Sequence, residues 1–365
     1  MRVLFLTLYP KLQPSTRFRV VQFLPFLDKR VDYVLKSPVP NKIFENFYTN
    51  KSTLGRLIFH CLEFFIRTKD ILLSFRYDVV FLQKGITTLN IRFLYRLLFI
   101  LNRNVIFDFD DAITISQISR LERFPLSILQ EKNEWQKIVR LSQKVIVGNE
   151  RLKSDISGLN KNIFVIPTPV DTEYFQINYD KFKNKDKVSI LWSGNKSGHV
   201  YLKICADALI CLDKKFSLGI NILTDSPEEE LQEIFSDVKI NLIKWSIDAE
   251  KEAFSGADIG VMPLYDTLWD RRKCAFKALL YMACGIPVVS SPIGVVNDFV
   301  RDGENGFLAH SDKEWIEKLE ALIKDAELRR KMGINGRKTA VEEFSLSRWT
   351  PYWKKVVMEK QSSAE

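Results

Sequence analysis

Four cationic side chains lead into one predicted helix in the second half of the chain. The stretch RRKCAFKALLYMACGIPVV (271–289) begins with Arg271, Arg272 and Lys273, and it carries Lys277 one turn later. The first turn of a helix already presents partial positive charge, so a cation there opposes the helix dipole by about 0.3–1 kcal/mol. If an anion is bound there, the same cation becomes favourable, because it attracts the anion. We therefore predict that Lys273 and Lys277, supported by Arg272, bind a phosphate group; the alternative is a surface helix with a basic stripe.

This helix is predicted over residues 275–284, with a tyrosine on the same side as the two lysines. Lys273, Lys277 and Tyr281 recur at intervals of four residues, and side chains four apart on a helix share one face. We therefore expect Tyr281 to face the same ligand.

Two further loops in this half follow predicted strands directly. Open α/β sheets bind ligands beyond the carboxyl ends of their strands, so such loops are candidate binding segments. SGNKSGH (193–199) precedes a helix whose first N–H groups could hold a phosphate, and PIGVVNDFV (292–300) contains a glycine that would let the backbone approach a ligand. The predicted contacts are Ser193, Gly194, Asn195, Gly294, Val295 and Val296.

A loop in the first half of the chain is a candidate for the same reason. YPKLQPSTRFRV (9–20) follows the first predicted strand and offers Ser15, Thr16, Arg17 and Arg19. Arginine suits the recognition of phosphate or carboxylate groups, so we predict a phosphate or acceptor contact here. The alternative is a solvated loop with a helix cap.

An acidic cluster ends the predicted strand NVIFDF (104–109) and continues beyond it. Asp108, Asp110 and Asp111 could bind Mg²⁺ through carboxylate oxygens, accept hydrogen bonds from sugar hydroxyls, or cap the next helix. We expect the hydrogen-bonding role for Asp110 and Asp111, and we predict no bound metal.

Strands that alternate with helical patterns must position these loops. Short apolar, β-branched runs predict strands at 3–8, 78–83, 104–109, 144–149 and 163–167, and again at 188–194, 218–224, 239–245, 258–264 and 286–291. A polar, lysine-rich segment at 178–187 separates the two series. Because 365 residues exceed the usual size of a single core, we predict two doubly wound α/β domains in tandem.

Positive charge is concentrated in the first half. Residues 1–170 hold 26 Lys and Arg against 14 Asp and Glu, a net charge of +12, whereas the remainder carries −3. Segments 53–76 and 89–103 combine large apolar residues with lysine and arginine. They are interpreted either as amphipathic helices packed on a sheet or as a face that rests on an anionic membrane surface. No nucleic-acid-binding motif accompanies this charge, so we expect no nucleic-acid partner.

The cysteines and the N-terminus favour a cytoplasmic protein. The five cysteines form no CxxC pair, which suits reduced thiols better than a disulfide framework. The apolar run at the N-terminus is too short for a signal peptide, and no stretch of 18 apolar residues is free of charge.

Taken together, these motifs resemble family 4 of the retaining glycosyltransferases, which have the GT-B fold. The likeness covers nearly the whole chain and rests on DIGVMPLYD, RRKCAFKALLYMACGIPVVSSPIGVVNDFV, PSTRFRV, IFDFDDAI, VIVGNERL and VIPTPVDTEYF. It implies two Rossmann-like domains facing across a cleft, with the final helix crossing back to the first. The acceptor domain would comprise residues 1–172 plus about 347–365, and the nucleotide-sugar donor domain residues 173–346.

The resemblance also implies an activity. The enzyme would move a sugar from a nucleoside diphosphate sugar to a hydroxyl acceptor with retention, and no cofactor is expected. Lys273 and Lys277 would neutralise the departing diphosphate, and Asp110 and Asp111 would bind sugar or acceptor hydroxyls. The acceptor is expected to be a glycan or lipid-linked, as in the assembly of lipopolysaccharide, capsule or glycolipid, and the protein to be cytoplasmic or peripheral on the inner face of the membrane.

One departure from the family pattern keeps two alternatives open. Many members carry a glutamate, seven further residues and a second glutamate, and Arg272 and Leu280 stand at those positions here. This resembles a branch in which a Lys-Cys-x-Phe-Lys run occupies the site. The alternatives are a GT-B nucleotide-sugar epimerase or hydrolase, and a catalytically silent relative that only binds nucleotide sugars.

Overall fold

The chain folds into two compact α/β units. The computed structural model describes residues 1–49, 53–115, 133–179, 187–225, 229–235 and 238–359. The first unit comprises Met1–Thr168 with Trp349–Glu365, and the second comprises Pro169–Arg348. The boundaries predicted from the sequence, after residues 172 and 346, lie close to these positions. Most of the predicted polar linker, 178–187, lies outside the described residues.

The first unit is built on a parallel sheet of six strands. They are β1 (Arg2–Thr7), β2 (Asp32–Lys36), β3 (Val79–Gln83), β4 (Val105–Phe109), β5 (Lys144–Val147) and β6 (Ile163–Val165), in the order β2-β1-β3-β4-β5-β6. Its helices are α1 (Pro14–Arg19), α2 (Asn41–Thr49), α3 (Thr53–Leu72), α4 (Arg92–Leu101), α5 (Glu134–Leu141) and α6 (Glu150–Ile156). Strand β2 was not predicted, because it is an edge strand whose side chains are exposed or only partly buried and whose apolar run, Tyr33–Leu35, is short.

The second unit repeats this architecture. Its parallel sheet contains β7 (Ser189–Ser193), β8 (Gly219–Thr224), β9 (Ile240–Lys244), β10 (Ile259–Met262), β11 (Val288–Ser290) and β12 (Phe307–Leu308), in the order β12-β11-β10-β7-β8-β9. Its helices are α7 (His199–Leu202), α8 (Ala206–Phe216), α9 (Glu229–Gln232), α10 (Ile247–Gly256), α11 (Phe276–Ala283), α12 (Val296–Phe299), α13 (Asp312–Lys324) and α14 (Ala326–Phe344). The predicted pair of doubly wound domains is confirmed.

The end of the last helix, α15 (Leu346–Met358), is part of the core of the first unit. The Trp353 indole stacks on the Phe23 ring with centroids 4.6 Å apart and lies 6.1 Å from the ring of Phe5 on β1. Lys144 Nζ donates to the carbonyl oxygens of Val356 and Glu359, at 2.7 and 2.6 Å, where a helix end presents partial negative charge. Aromatic packing and a cationic cap therefore fix this segment to the first sheet.

Candidate functional site

The order of strands reverses beside β7, which lies between β8 and β10 in the second sheet. Ligands of open α/β sheets bind at such a point, outside the carboxyl ends of the strands. The segments that leave these ends are the loop after β7, which contains Gly194, and the chain between β10 and α11, which contains Lys273. The fold therefore brings two of the predicted binding segments to one edge of the sheet.

Lys273 directly follows a separate turn and is not part of α11. Asp270–Arg272 form one turn of 3₁₀ helix, and Ala275, at the N-cap of α11, has a left-handed φ of +50°. The expectation that Lys273 shares a helical face with Lys277 is therefore wrong: Lys273 precedes the helix and Lys277 lies in its first turn.

Buried polar groups fix the ammonium of Lys273. Lys273 Nζ donates to Tyr201 Oη at 2.7 Å and lies 2.7 Å from Asp270 Oδ1. The buried Asp270 carboxylate also accepts hydrogen bonds from Tyr201 Oη and Thr267 Oγ1, both at 2.6 Å. A lysine ammonium has three donors, and within the described part of the chain only these two acceptors engage it. One donor of a positioned cation is thus left for a ligand.

The second lysine is poorly solvated and carries a weakly held proton. Lys277 Nζ lies over the Trp192 ring, 5.1 Å from its centroid. Burial, and after it the charge of Lys273, lower the pKa of Lys277 to about 8, although Glu250 and Asp225 act in the opposite direction. An anion bound by both ammonium groups would remove the repulsion between them and raise this pKa.

Tyr281 lies in the core and not in the site. Its side chain is fully buried, and its hydroxyl donates to the carbonyl oxygen of Leu191 at 3.0 Å. The ring packs so closely on β10 that a Cβ at Gly260 would lie 2.4 Å from it. The expectation that Tyr281 contacts the ligand is therefore not supported, because a hydroxyl in the strand layer cannot reach the edge of the sheet.

Gly194 serves the packing of Trp192 rather than the binding of a phosphate by its amide. The Gly194 N–H donates to the carbonyl oxygen of Leu223 at 3.0 Å, so it extends the pairing of β7 with β8. A Cβ at Gly194 would lie 2.1 Å from the Trp192 ring, which is the ring beneath Lys277. The glycine thus admits the indole that supports the lysine, and its amide is not available to a ligand.

The other residues predicted to contact a donor differ in how accessible their side chains are. Ser193 is nearly buried at the end of β7, whereas Asn195 is exposed and its side-chain oxygen accepts a hydrogen bond from Ser197 Oγ at 2.9 Å. Val295 and Val296 are buried, so they offer a ligand no exposed side chain. Arg272 lies beside Lys273 and donates to the carbonyl oxygen of Leu268 at 3.1 Å.

Gly294 lets the backbone approach the turn of Asp270–Arg272 rather than a ligand. It has a left-handed φ of +65°, and a Cβ built on it would lie 2.6 Å from the carbonyl oxygen of Arg271. This backbone contact joins the loop after β11 to the turn that leads into Lys273. The backbone at Gly294 does approach another group closely, but that group is the Arg271 carbonyl and not a ligand.

The substitution Gly294→Ala tests this contact. We expect the free energy of unfolding of the second unit to fall by about 2 kcal/mol or more, because left-handed strain of about 1–2 kcal/mol adds to the overlap with Arg271. Gly303→Ala is the matched control, since Gly303 has a φ of +79° and nothing within 4 Å of its Cβ position. Urea unfolding of both variants measures the difference. Equal costs would show that the contact with Arg271 has no energetic weight.

In the first unit, Arg19 forms a buried ion pair and is not a surface contact. Its guanidinium pairs with the carboxylate of Asp108 and donates to the carbonyl oxygen of Ile166 at 2.7 Å. Both charged side chains are almost fully buried. Burial raises the pKa of Asp108 to about 6, while Arg19 acts in the opposite direction. The prediction that Arg19 binds phosphate or acceptor is therefore not supported, since its donors are used inside the protein.

The remaining residues of this loop form α1 and are partly accessible. Thr16 is buried and its hydroxyl donates to the carbonyl oxygen of Tyr9 at 2.9 Å. Ser15 and Arg17 are half-buried, and the Arg17 guanidinium lies 4.3 Å from the centroid of the Phe18 ring. Of the four predicted contacts, Ser15 and Arg17 are the ones that the surface of the first unit presents.

The other two carboxylates of the acidic cluster have separate partners. Asp110 Oδ2 accepts a hydrogen bond from Thr168 Oγ1 at 2.9 Å, and Asp111 Oδ2 accepts one from Lys84 Nζ at 2.5 Å. Burial acts to lower the pKa of Lys84, but Asp111 and then Tyr9 and Asp110 outweigh it and raise that pKa. Among the described residues, no group of three or more His, Cys, Asp or Glu side chains is arranged to hold a metal ion.

Four residues of these two sites escaped the sequence analysis. Lys84 follows β3 directly, and that position was a usable signal. Asp270 directly precedes the cationic run Arg271–Lys273. A carboxylate beside three cations was also a usable signal. Tyr201 and Trp192 carry no local signal, because each becomes relevant only through a lysine distant in sequence.

The sequence of the second unit matches a known family over part of its length. Residues 188–325 match the family model described as "Glycosyl transferases group 1". The α-maltose-1-phosphate synthase of Mycolicibacterium smegmatis is 34% identical over 104 residues, which are 26% of this chain and 25% of that protein. The chain thus spans about a quarter of this curated relative.

Solved structures resemble nearly the whole chain. The Anabaena protein Alr3699/HepE, solved in complex with UDP and glucose, has a TM-score of 0.70 at 14% identity and covers 98% of this chain and 99% of its own. The sucrose-phosphate synthase of Thermosynechococcus elongatus has a TM-score of 0.67 at 12% identity, with 98% of each chain covered. The predicted GT-B fold is confirmed. The chain therefore has the GT-B fold, and residues 188–325 of its second unit match the glycosyl transferases group 1 family model.

Proposed function

We propose that this protein is a retaining glycosyltransferase that takes its sugar from a nucleoside diphosphate sugar. The observation that carries the proposal is the pair of ammonium groups, Lys273 and Lys277, beside the reversal point of the second sheet, inside the region that matches the glycosyltransferase family. Two neighbouring cations suit a diphosphate, which carries at least two negative charges. UDP is the first nucleotide to test, because the similar Anabaena protein was solved with it.

The chemical task of this site is to stabilise the departing diphosphate. Charge develops on that group as its bond to the sugar breaks, and donors already in place stabilise it without reorganisation. Asp270 and Tyr201 hold the ammonium of Lys273 at a fixed position, and Lys277 lies where burial strengthens electrostatic attraction. These cations would take the place of the paired glutamates that Arg272 and Leu280 replace. No general base is assigned, since the departing phosphate can accept the proton of the acceptor hydroxyl.

The first unit is proposed to hold the acceptor. Asp110 and Asp111 would accept hydrogen bonds from acceptor or sugar hydroxyls, with Lys84, Ser15 and Arg17 as neighbouring contacts. The high positive charge of residues 1–170 favours an anionic or lipid-linked acceptor, as in the assembly of cell-surface polysaccharide or glycolipid. The enzyme would then act in the cytoplasm or on the inner face of the membrane.

Two measurements test the proposal. Differential scanning fluorimetry with a panel of UDP and GDP sugars should show stabilisation by the donor, because ligands that bind only the folded state raise its stability. Incubation of the stabilising donor with lipid-linked and glycan acceptors should then give a product whose anomeric configuration by NMR matches that of the donor. Binding without product for any acceptor would support the silent relative instead. Release of free nucleotide and monosaccharide at the full rate without acceptor would support a hydrolase.

The affinity for UDP should depend on pH through Lys277. The last ionisation of a phosphate lies near pH 6, so the charge of the diphosphate no longer changes above pH 8. Because the pKa of Lys277 is about 8 and a bound diphosphate raises it, the dissociation constant should increase above pH 8, by up to about tenfold per unit of pH. Isothermal calorimetry in buffers of different ionisation enthalpy should also detect proton uptake on binding.

Lys277→Arg is the control for this dependence, because arginine stays protonated over the same range. Its affinity for UDP should be nearly constant between about pH 7 and about pH 9, where unperturbed lysines and arginines stay protonated. An unchanged pH profile in Lys277→Arg would show that another group is responsible.

A further inference from the structure

Helix α3 of the first unit is turned with its polar side inwards. The residues that it buries include four with polar or charged side chains, His60, Glu63, Arg67 and Asp70. The residues that it exposes are mostly apolar: Leu54, Leu57, Ile58, Cys61, Leu62, Phe65 and Leu72. A helix on the surface of a soluble domain normally has the opposite arrangement, with its apolar stripe towards the core.

Buried hydrogen bonds fix this orientation. The carboxylate of Glu63 accepts hydrogen bonds from the backbone N–H of Thr88 at 2.8 Å and from the Thr88 hydroxyl at 2.6 Å. Arg67 Nη2 donates to the carbonyl oxygen of Thr7, at the end of β1, at 2.7 Å. A rotation of the helix that buried its apolar residues would break these bonds and leave charged groups without partners. The exposed apolar side is therefore a stable feature of the fold.

The apolar surface continues from α3 onto the neighbouring elements. Phe65 is 68% exposed, and Phe93 of α4 is also exposed and packs edge-on against Phe64, with ring centroids 5.6 Å apart. Ile100, at the far end of α4, is 75% exposed, and Phe75, just after α3, is exposed as well. We call the exposed apolar residues of α3 and α4, with Phe75, the apolar face.

The exposed charged residues of α3 and α4 have one sign. Cationic residues on or next to it are exposed, namely Arg56, Lys69, Arg76, Arg96 and Arg103. The acidic residues of α3, Glu63 and Asp70, are both buried, and α4 contains none. Large apolar side chains interspersed with cations only are the composition that binds an anionic lipid surface, through apolar burial and Coulomb attraction. A protein partner or a second copy would gain from the apolar side chains but would need a matching acidic surface.

We propose that the apolar face docks on an anionic lipid bilayer, with α3 lying in the plane of the interface. The face would enter the headgroup region without crossing the membrane, since none of the helices that the structure describes is both long and apolar enough to span one. This inference goes beyond the proposed sugar transfer and stands without it. It identifies the residues through which the enzyme would meet a lipid-linked acceptor.

Co-sedimentation of the full chain with vesicles tests this proposal. We expect binding to phosphatidylcholine vesicles that contain phosphatidylglycerol and weak binding to phosphatidylcholine alone. The double variant Arg56→Gln/Lys69→Gln should weaken binding about 25-fold, since each cation near an anionic surface contributes about fivefold. Leu57→Gln/Phe65→Gln should reduce it at least tenfold by removing buried apolar area.

The controls separate lipid binding from loss of the fold and from the proposed activity. Ile334→Gln/Val341→Gln removes exposed apolar residues from α14 of the second unit and should leave vesicle binding unchanged. All variants should keep the melting temperature and the affinity for UDP of the parent protein. Equal binding to both vesicle types, or binding by Leu57→Gln/Phe65→Gln as strong as that of the parent, would overturn the proposal. So would self-association of the parent that this variant abolishes, because the face would then be an interface between copies.

Discussion

Lys273→Met is expected to lower kcat for sugar transfer by about 10²- to 10³-fold, the usual effect of removing one preorganised donor from a developing oxyanion. Lys273 is the better positioned of the two lysines, because Tyr201 and Asp270 hold its ammonium while one donor stays available. Methionine keeps an unbranched side chain of nearly the same length and removes the charge together with its N–H donors. Steady-state kinetics at saturating donor and acceptor, with the melting temperature of the variant, measures the effect.

Two further variants make this result interpretable. Arg271→Met is the matched control, since Arg271 lies two residues away, is about half exposed and pairs with Asp266 at the surface; its kcat should change by less than about twofold. Lys273→Met leaves the buried carboxylate of Asp270 without its cation, so Lys273→Met/Asp270→Asn should regain stability without regaining activity. A kcat for Lys273→Met within about threefold of the parent would contradict the assigned role, since the loss of such a preorganised donor lowers kcat far more than that.

The parts of the fold that could be predicted are those in which one short segment carries the signal. Strands such as β1 and β4 are buried on both faces, so they read as continuous apolar runs. The edge strands β2 and β12 were not predicted, because β2 is largely exposed and β12 has two residues. The positions of the candidate loops also followed from the sequence, because a parallel sheet fixes which ends of its strands face the ligand.

The chemical roles of individual residues were less predictable, because they depend on partners distant in sequence. Gly194 and Gly294 were assigned to a ligand, yet each accommodates a neighbouring part of the protein, the Trp192 ring and the Arg271 carbonyl. Arg19 looked like a surface cation and proved to be the partner of Asp108, 89 residues away. For Lys277 the sequence predicted the charge but not the pKa, because the pKa is lowered mainly by burial, which depends on the fold.

The inverted polarity of α3 has the same origin. Its sequence shows an amphipathic helix, and an apolar stripe alone predicts that this side faces the core. The orientation is set by Thr7 at the end of β1 and by Thr88 in the segment after β3, which hydrogen-bond Arg67 and Glu63 respectively. The periodicity of the sequence therefore predicts that α3 has one polar and one apolar face, while tertiary hydrogen bonds determine which face is exposed to solvent.

Arg19→Met is expected to lower the free energy of unfolding of the first unit by about 3–5 kcal/mol, the cost of removing one partner from a buried ion pair. The Asp108 carboxylate would stay fully buried at the end of β4 without its counter-charge, and the carbonyl of Ile166 would lose its donor. Urea unfolding, followed by hydrogen exchange of the amides of β3 and β4, measures the loss in this unit specifically.

The double variant Arg19→Met/Asp108→Leu distinguishes an uncompensated charge from a simple loss of packing. Replacing both partners of a buried pair by apolar residues is often neutral, so the double variant should regain most of the stability that Arg19→Met loses. If it is as unstable as the single variant, the ion pair itself is not the source of the loss. If the double variant recovers the stability, it provides a stable protein that lacks the Arg19 guanidinium. Acceptor binding by Asp110 and Lys84, at the same edge of the sheet, could then be tested without interference from unfolding.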